Sequence, residues 1–404
     1  MTLPTRYDVA EHLRNPEEMA AYLQACLEEA DGDAAFIAKA LGDIARAKGM
    51  TQVARDAGLS RESLRILIFL FRHTIILKFK RRRKRNMNTS VNILRSVVAP
   101  ETVAQILENE LGFSEVSCRF LHHGFNDTYE AQSQETPLIV RLYRHKWRSE
   151  KEIAAECSIL QELSAAGLGV SAPISGPAGQ YQFTLDAPEG LRQGVVFSRA
   201  EGNIPLHLGS GETRELGRIL GTLHDRLDCL TEVGADRPVM GAEFFLDHPF
   251  QVLRRAFPSN AADLDRLELH FREGATRLPP FSGTRPDFGL VHGDFLRVNI
   301  FQNDAGVFTL FDFDFCGFSH RAYDLATYRW SLGPVDDPEL KPLWTEFLSG
   351  YAEVHPLSPT ELTYLDWFIQ VRQLWVWSIN VDTGDGFQRL NQHQFKARMA
   401  WFGL

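Results

Sequence analysis

Cysteine is scarce in this chain. The five cysteines include no C-x-x-C pair and no spacing typical of a metal site, so we expect a reducing compartment and no disulfide framework. Long hydrophobic runs are also missing. The strongly apolar residues 66–79 number only 14 and contain Arg72 and His73, whereas a membrane-spanning helix needs about 20. Since the first residues also lack the apolar core of a signal peptide, we expect a cytoplasmic protein that does not bind membranes.

Charge of one sign does not dominate the chain. A net charge of −9 over 404 residues gives no overall attraction to nucleic acid or anionic lipid. The content of 44% hydrophobic and 24% charged residues is typical of a globular protein, and the length suits two or three domains. The exception is local, because seven of the eight residues from Lys78 to Arg85 are basic.

The first 65 residues are polar, rich in alanine and helical in pattern. The stretch MTQVARDAGLSRESLR (residues 50–65) places a turn at Gly58 and a helix N-cap at Ser60, which is the helix-turn-helix pattern. Such a motif inserts its second helix into a DNA major groove. DNA contact through residues 50–65 is one interpretation, and a plain helical hairpin is the other.

Residues 1–65 also resemble a known family. The segment from YDVAEHLRN to SRESL is similar to the addiction-module antidote (antitoxin) family, which implies a DNA-binding autorepressor. After Leu64 the resemblance stops, and residues 66–86 are apolar and then basic, unlike the polar linkers that usually join domains. We therefore interpret residues 1–86 as a truncated antidote segment and an irregular junction, joined to an enzyme by fusion or by a gene-model error.

After Met87, the stretch LVHGDFLRVNIF carries the chemistry. Asn299 follows Asp294 by five residues, and Asp312 follows Asn299 by thirteen, at the end of an apolar strand. Phosphoryl transfer needs one carboxylate to orient or deprotonate the attacking hydroxyl. It also needs an amide and a second carboxylate to hold Mg²⁺ against the nucleotide phosphates. The spacing predicts Asp294 as the base and Asn299 and Asp312 as metal ligands.

Residues 120–205 supply candidates for the nucleotide site in the order that a kinase requires. A strand–turn–strand over residues 120–131 would cover the phosphates. The next strand carries a cation, Arg141, where a kinase has lysine, and a helix carries Glu156 fifteen residues later. A strand and hinge over residues 193–205 would hold adenine through its backbone. The predicted nucleotide-binding residues are Gly124, Asn126, Arg141, Glu156, Ser198 and Ala200.

From about residue 90 onward, HGDFLRVN and FDFDFCGFSHRAYDLA resemble the aminoglycoside phosphotransferase/choline kinase superfamily. The resemblance implies an α+β, bilobal protein-kinase-like fold, with a small β-rich N-lobe and hinge (residues 87–205) and a helical C-lobe (residues 206–404). It implies ATP and Mg²⁺ as cofactors and the hydroxyl of a small molecule as the acceptor. It also implies that His292 and Asp324 support the catalytic loop.

Several roles stay open. Arg297 could neutralise the transferring phosphate or face solvent, and Asp314 could face the metal, cap a helix or be solvated. The aromatic helix of residues 364–380 carries Trp367, Trp375 and Trp377, which could recognise the acceptor or pack in the core, and its Arg372 could point toward the cleft. Homoserine-, choline- or sugar-like acceptors are favoured over an aminoglycoside. Other functions left open are a pseudokinase, a DNA-binding regulator, a protein Ser/Thr kinase and a metallohydrolase using His292 and His320.

Overall fold

The structure, a computed structural model, covers the kinase-like part of the chain. It describes Ile93 and residues 95–403, with gaps at 177–178, 206, 279–286, 335–336 and 383–391. The predicted helix-turn-helix segment and the basic junction lie outside these residues. Two compact units divide the chain, one of residues 1–94 with His122–Gly124 and one of Arg95–Leu121 with Phe125–Leu404. The elements below belong to the second unit, apart from the end of β1.

The first lobe is a five-stranded sheet with a helix on each side. Its strands lie in the order β1-β2-β3-β5-β4, and the β2–β3, β3–β5 and β4–β5 pairs are antiparallel. In chain order its elements are α1 Pro100–Asn109, β1 Val116–His123, β2 Asp127–Ser133, β3 Thr136–Leu142, α2 Glu150–Ala165, β4 Gln182–Ala187 and β5 Gly190–Ser198.

Alternation along β5 explains why this sheet has two buried faces. Val196 packs into the small core beneath α1, whereas its neighbours Val195 and Phe197 pack into the larger core that contains α2 and the second lobe. Successive side chains of a strand point to opposite faces, so one apolar run serves both cores. α2 begins at a capping box, in which Ser149 and Glu152 bind each other's backbone N–H groups.

The second lobe is mainly helical and carries two short two-stranded sheets. β6 pairs with β9 and β7 pairs with β8, both antiparallel. Its elements are α3 Ser210–Asp228, a π-helical turn Glu243–Asp247, α4 His248–Ala256, a 3-10 turn Pro258–Asn260, α5 Ala261–Ala275, β6 Phe288–Val291, a 3-10 turn Arg297–Asn299, β7 Ile300–Gln302, β8 Phe308–Leu310, a 3-10 turn Phe313–Phe315, β9 Gly317–His320, α6 Ala322–Leu332, α7 Lys341–Val354, α8 Pro359–Asp382 and α9 Gln392–Trp401.

The segment after β5 is tied to the second lobe at one close approach. Asn203 and Gln302 exchange both backbone hydrogen bonds, at 3.1 and 2.9 Å. Gly202 beside them has φ of +88°, and a Cβ there would collide with the Gln302 carbonyl, so glycine suits this position. This contact fixes where the sheet lobe meets the β7–β8 sheet. In the described part of the chain, no helix is long and apolar enough to cross a bilayer.

Candidate active site

The loop between β6 and β7 holds Asp294 in a defined orientation. The Asn299 side-chain Nδ2 donates to the Asp294 backbone oxygen at 2.9 Å and to its carboxylate Oδ2 at 2.8 Å. Both partners are acceptors, so the amide must present its NH₂ to them. This orientation leaves the Asn299 carbonyl oxygen for another partner, such as a hard cation.

Two buried residues fix the backbone of the same loop. The Asp324 carboxylate accepts from the N–H groups of His292 and Gly293 at 2.7 and 2.8 Å. His292 Nδ1 accepts from the Asp294 N–H at 3.2 Å, and its Nε2 lies 3.2 Å from the Phe311 carbonyl. Nδ1 is therefore the acceptor and Nε2–H the donor. Burial lowers the pKa of His292, which agrees with a neutral ring that holds the loop instead of carrying charge.

Asp324 is in turn bound by His224 of helix α3. His224 Nε2 lies 3.1 Å from its carboxylate, and His224 Nδ1 lies 2.8 Å from the Tyr351 hydroxyl. Burial raises the pKa of Asp324 and lowers that of His224 well below its ordinary value. The loop thus rests on a chain of hydrogen bonds that reaches α7.

Left-handed backbone occurs at two points of the site. Gly293 has φ of +79°, and a Cβ there would collide with the Phe315 carbonyl, which explains the glycine in HGD. Asp312 has φ of +66°, which is uncommon for a residue with a side chain. The predicted strand was expected to end at Asp312, but β8 ends at Leu310. The tight turn that follows is what aims the Asp312 carboxylate back toward β3.

Arg141 joins Asp312 to helix α2. Its Nη1 donates to Glu156 at 2.7 Å and its Nη2 donates to Asp312 at 3.1 Å. The Tyr143 hydroxyl donates to the other Glu156 oxygen at 3.0 Å, and the Phe197 ring lies 4.9 Å from the guanidinium carbon. The sequence predicted that Glu156 positions Arg141, and the structure shows the two residues paired. Arg141 also reaches Asp312, the candidate metal ligand.

Asp312 has the chemistry of a metal ligand. Desolvation raises the pKa of its carboxyl to about 7, and the charges of Asp294 and Asp314 add to the rise against the opposing charge of Arg141. The side chain still keeps 43% of its surface exposed, so an incoming ion can reach it. Crowded carboxylates beside a free amide oxygen of Asn299 form an oxygen donor set that fits Mg²⁺ and would be stabilised by it.

Asp314 has a structural role in the site. It is buried, and its carboxylate accepts from Asn126 Nδ2 at 3.0 Å, Trp147 Nε1 at 2.7 Å and Arg148 Nε at 3.0 Å. Desolvation would raise its pKa, but Arg148, Arg141 and the Trp147 N–H hold the pKa of Asp314 below its usual range. Solvated and helix-capping positions for Asp314 are thus incorrect. Its oxygens anchor the loops of the sheet lobe.

The other predicted nucleotide residues lie along the expected elements. Gly124 lies in the turn between β1 and β2. The Asn126 side chain, besides binding Asp314, accepts from the Arg144 N–H at 3.1 Å. Ser198 ends β5, and its N–H donates to the Ala172 carbonyl at 2.8 Å. Ala200, two residues later, is buried.

Arg297 and Arg372 approach the site from opposite sides. Arg297 Nη2 donates to the Pro205 carbonyl at 3.0 Å, so it binds the segment that follows β5. Arg372, from the aromatic helix α8, forms an ion pair with the Asp294 carboxylate. Trp375 on the same helix stacks on Phe244 at 5.8 Å between ring centroids, and it contributes to an aromatic wall beside the catalytic loop.

Sequence reasoning missed four residues that build this site. Tyr143 and Arg237 flank Glu156, Arg237 at 3.8 Å, and Trp147 and Arg148 bind Asp314. The run RLYRHKWRS offered a signal for three of them, because aromatic and basic residues follow a strand that already carries Arg141. Arg237 lies in an irregular segment and gave none.

Comparison with known proteins identifies the family. The description "Phosphotransferase enzyme family" matches residues 117–357, more than half of the chain. The chain belongs to the phosphotransferase enzyme family. Membership confirms the prediction of an enzyme that transfers phosphate to an alcohol group of a small molecule.

Relatives of this phosphotransferase include an uncharacterized protein of Deinococcus radiodurans, 33% identical over 287 residues. The match covers 70% of this chain and 82% of that protein. An uncharacterized protein of Synechocystis is 28% identical over 293 residues, covering 70% of this chain and 78% of that one.

Solved structures confirm the fold of the phosphotransferase. An amicoumacin kinase in complex with AMP-PNP and Ca²⁺ superimposes with a TM-score of 0.62 at 18% identity, covering 74% of this chain and 91% of that one. A microcompartment-associated aminopropanol kinase gives 0.61 at 23% identity, covering 75% and 94%. The kinase-like arrangement of a β-rich lobe and a helical lobe is therefore confirmed.

The N-terminal resemblance is confirmed as well. Residues 4–69 of the phosphotransferase match the family described as "Probable addiction module antidote protein". A Haemophilus influenzae protein is 55% identical over 58 residues, which are 14% of this chain and 58% of that protein. The match thus covers only part of the relative.

Proposed function

We propose that the phosphotransferase moves the γ-phosphate of ATP to a small-molecule hydroxyl, with Asp294 as the base. One observation carries the proposal. The loop that orients Asp294 through Asn299 lies beside the Asp312–Arg141–Glu156 row, so a base, two metal ligands and a phosphate-binding cation converge. Phosphoryl transfer depends mainly on positioning and on charge stabilisation, and this row supplies both.

Each residue has a defined task in the proposed reaction. Asp294 accepts the hydroxyl proton as the acceptor oxygen attacks the γ-phosphorus, and ADP leaves with the electrons of the broken bond. Asn299 and Asp312 would hold Mg²⁺, which supplies neutralising charge to the phosphates. Arg141 would offer a phosphate oxygen the Nη2 that binds Asp312 here, and Glu156 keeps the guanidinium in place.

The acceptor belongs to the same proposal. A homoserine kinase of Gluconobacter oxydans is 25% identical over 277 residues, covering 65% of this chain and 83% of that protein. Together with the amicoumacin and aminopropanol kinases, it supports a small hydroxyl compound, of homoserine, choline, sugar or aminoglycoside type, in place of a protein Ser/Thr side chain. Among the described residues, no group of three His, Cys, Asp or Glu could hold a metal.

We also propose the domain division at residues 65, 86 and 205, a cytoplasmic location, and DNA contact through residues 50–65. The family match over residues 4–69 supports an antidote-type segment. A regulatory pseudokinase is the second candidate function, and the antidote match is the observation that favours it.

The test is Asp294→Asn in the full chain. Asparagine keeps the hydrogen bond from Asn299 but cannot accept the proton, so transfer should fall at least 100-fold, the lower bound for losing a general base. Mg-ATP at about 100 times its dissociation constant should still stabilise the variant by about 2.7 kcal/mol in thermal unfolding, and EDTA should remove the shift.

Asp304→Asn, at an exposed position in the β7–β8 turn, is the matched control and should keep full activity. Near-normal turnover of Asp294→Asn would refute the base assignment. ATP binding without ADP formation from any acceptor in the unaltered chain would favour the pseudokinase.

A further inference from the structure

Arg372 lies within the catalytic site although no step of the proposed reaction uses it. Its Nη2 pairs with Asp294 Oδ1, the carboxylate oxygen that Asn299 does not bind. The guanidinium carbon lies 4.7 Å from the Trp375 ring centroid and 5.5 Å from that of Trp330. The two tryptophan rings therefore fix the plane of the Arg372 guanidinium, and its positive charge is paired with the carboxylate of the proposed base, Asp294.

The rest of this guanidinium lacks acceptors. Arg372 is 3% exposed, and within the described part of the chain its Nε and Nη1 have no hydrogen-bond partner. The Tyr323 hydroxyl lies beside the guanidinium and is the one neutral acceptor that the described residues offer it. Buried N–H donors without acceptors are rare and destabilising, and they often mark a ligand site. An anion that takes one of the two forks of the guanidinium, Nη1/Nη2 or Nε/Nη2, would satisfy one of these donors and share Nη2 with Asp294.

Neighbouring arginines are already engaged in the structure. Arg148 binds Asp314 and Glu152, and Arg141 binds Glu156 and Asp312. Arg148 also lies over the Trp147 ring at 4.6 Å. Arg372 lies over the Trp375 ring in the same way. The Trp147 and Trp375 faces, which could attract an ammonium group, therefore already carry an arginine. A cationic acceptor such as choline is therefore disfavoured.

We propose that Arg372 binds an anionic group of the acceptor, so that the substrates are hydroxy acids with a carboxylate near the reacting hydroxyl. The inference rests on the proposed kinase function and narrows its substrate class. The carboxylate takes the planar fork of Arg372 in bidentate fashion. Asp294 Oδ1 is thereby released to accept the hydroxyl proton, and the base becomes available only when an acidic acceptor is bound.

The experiment compares acids with their amides in the full chain. ADP formation is measured with three matched pairs, L-homoserine and L-homoserinamide, L-serine and L-serinamide, and glycerate and glyceramide, with choline and kanamycin beside them. At least one acid should react with kcat/KM about 10- to 100-fold above that of its amide, the factor expected for a charge-assisted hydrogen bond. Arg372→Gln should remove this preference by raising KM for the acid while leaving KM for ATP unchanged.

Arg329→Gln is the control, because Arg329 is also buried but binds the carbonyls of Gly333 and Pro334. It should lower the melting temperature and keep the preference for acids. Equal use of acids and amides, preferred use of choline or kanamycin, or a preference that survives Arg372→Gln would each overturn the proposal. Stabilisation by Mg-ATP without reaction of any acid refutes the anion site alone, whereas no effect of Mg-ATP would refute the kinase function itself.

Discussion

Removing Glu156 should show how much the buried Arg141 pair contributes to stability. Glu156 has no exposed surface and accepts from Arg141 and from Tyr143. Glu156→Ala leaves the Arg141 charge without its principal partner in a buried position, and breaking such a pair costs about 3–5 kcal/mol. Glu156→Gln keeps an oxygen for Arg141 and an NH₂ for the Tyr143 oxygen. It loses only the charge, at a cost of about 1.5–3 kcal/mol.

The assay is urea denaturation followed by tryptophan fluorescence, with the slope checked for constancy between variants. Both variants should also raise KM for ATP, more for Glu156→Ala, because Arg141 then keeps only Asp312 and the Tyr143 hydroxyl as partners. Glu353→Ala is the control, since Glu353 also binds two arginines, Arg214 and Arg218, but at the surface. Exposed pairs contribute little, so it should change the urea midpoint far less. Equal midpoints for Glu156→Ala and Glu353→Ala would refute the argument from burial.

Two further changes test the support of the catalytic loop. Gly293→Ala should destabilise the chain by more than about 1 kcal/mol and lower kcat, because alanine is strained at a positive φ and its Cβ collides with the Phe315 carbonyl. Urea unfolding measures the stability and ADP release measures kcat. A variant with unchanged stability and unchanged kcat would contradict this geometry. His224 is neutral when folded, but in the unfolded chain it binds a proton near its ordinary pKa of 6.5. The unfolded state then holds more protons below that pH, so the stability that His224 contributes should be constant well above pH 6.5 and fall as the pH drops below it. His224→Gln should flatten that fall, and an equal slope in the variant would assign the pH dependence to other groups.

Local spacing made the core of the site predictable. Asp294 and Asn299 share one loop, and Asp312 follows one hairpin later, so three chemical roles lie within a stretch that folds as a unit. Arg141 and Glu156 were predictable from their order on a strand and the next helix, since these elements pack together in the sheet lobe. The aromatic helix predicted at residues 364–380 lies within α8, Pro359–Asp382.

Long-range contacts were not predictable in the same way. Asn126 lies 188 residues from Asp314 in the sequence, and Arg372 lies 78 residues from Asp294. No periodicity links such pairs, and only the packing of the two lobes and of α8 brings them together. The backbone at Asp312 was also missed, because a left-handed residue with a side chain is set by its surroundings and leaves no pattern in the sequence.

Arginine at position 141 has a physical reason that the sequence alone did not give. A lysine ammonium is a compact charge, whereas the guanidinium has a planar fork with donors in fixed directions. Here one Nη binds Glu156 of α2 while the other binds Asp312 after β8. One side chain thus couples the helix of the first lobe to the candidate metal ligand of the second, and both are positioned before any ligand arrives. Arginine in place of the kinase lysine therefore explains how Glu156 and Asp312, the two sides of the site, are held together.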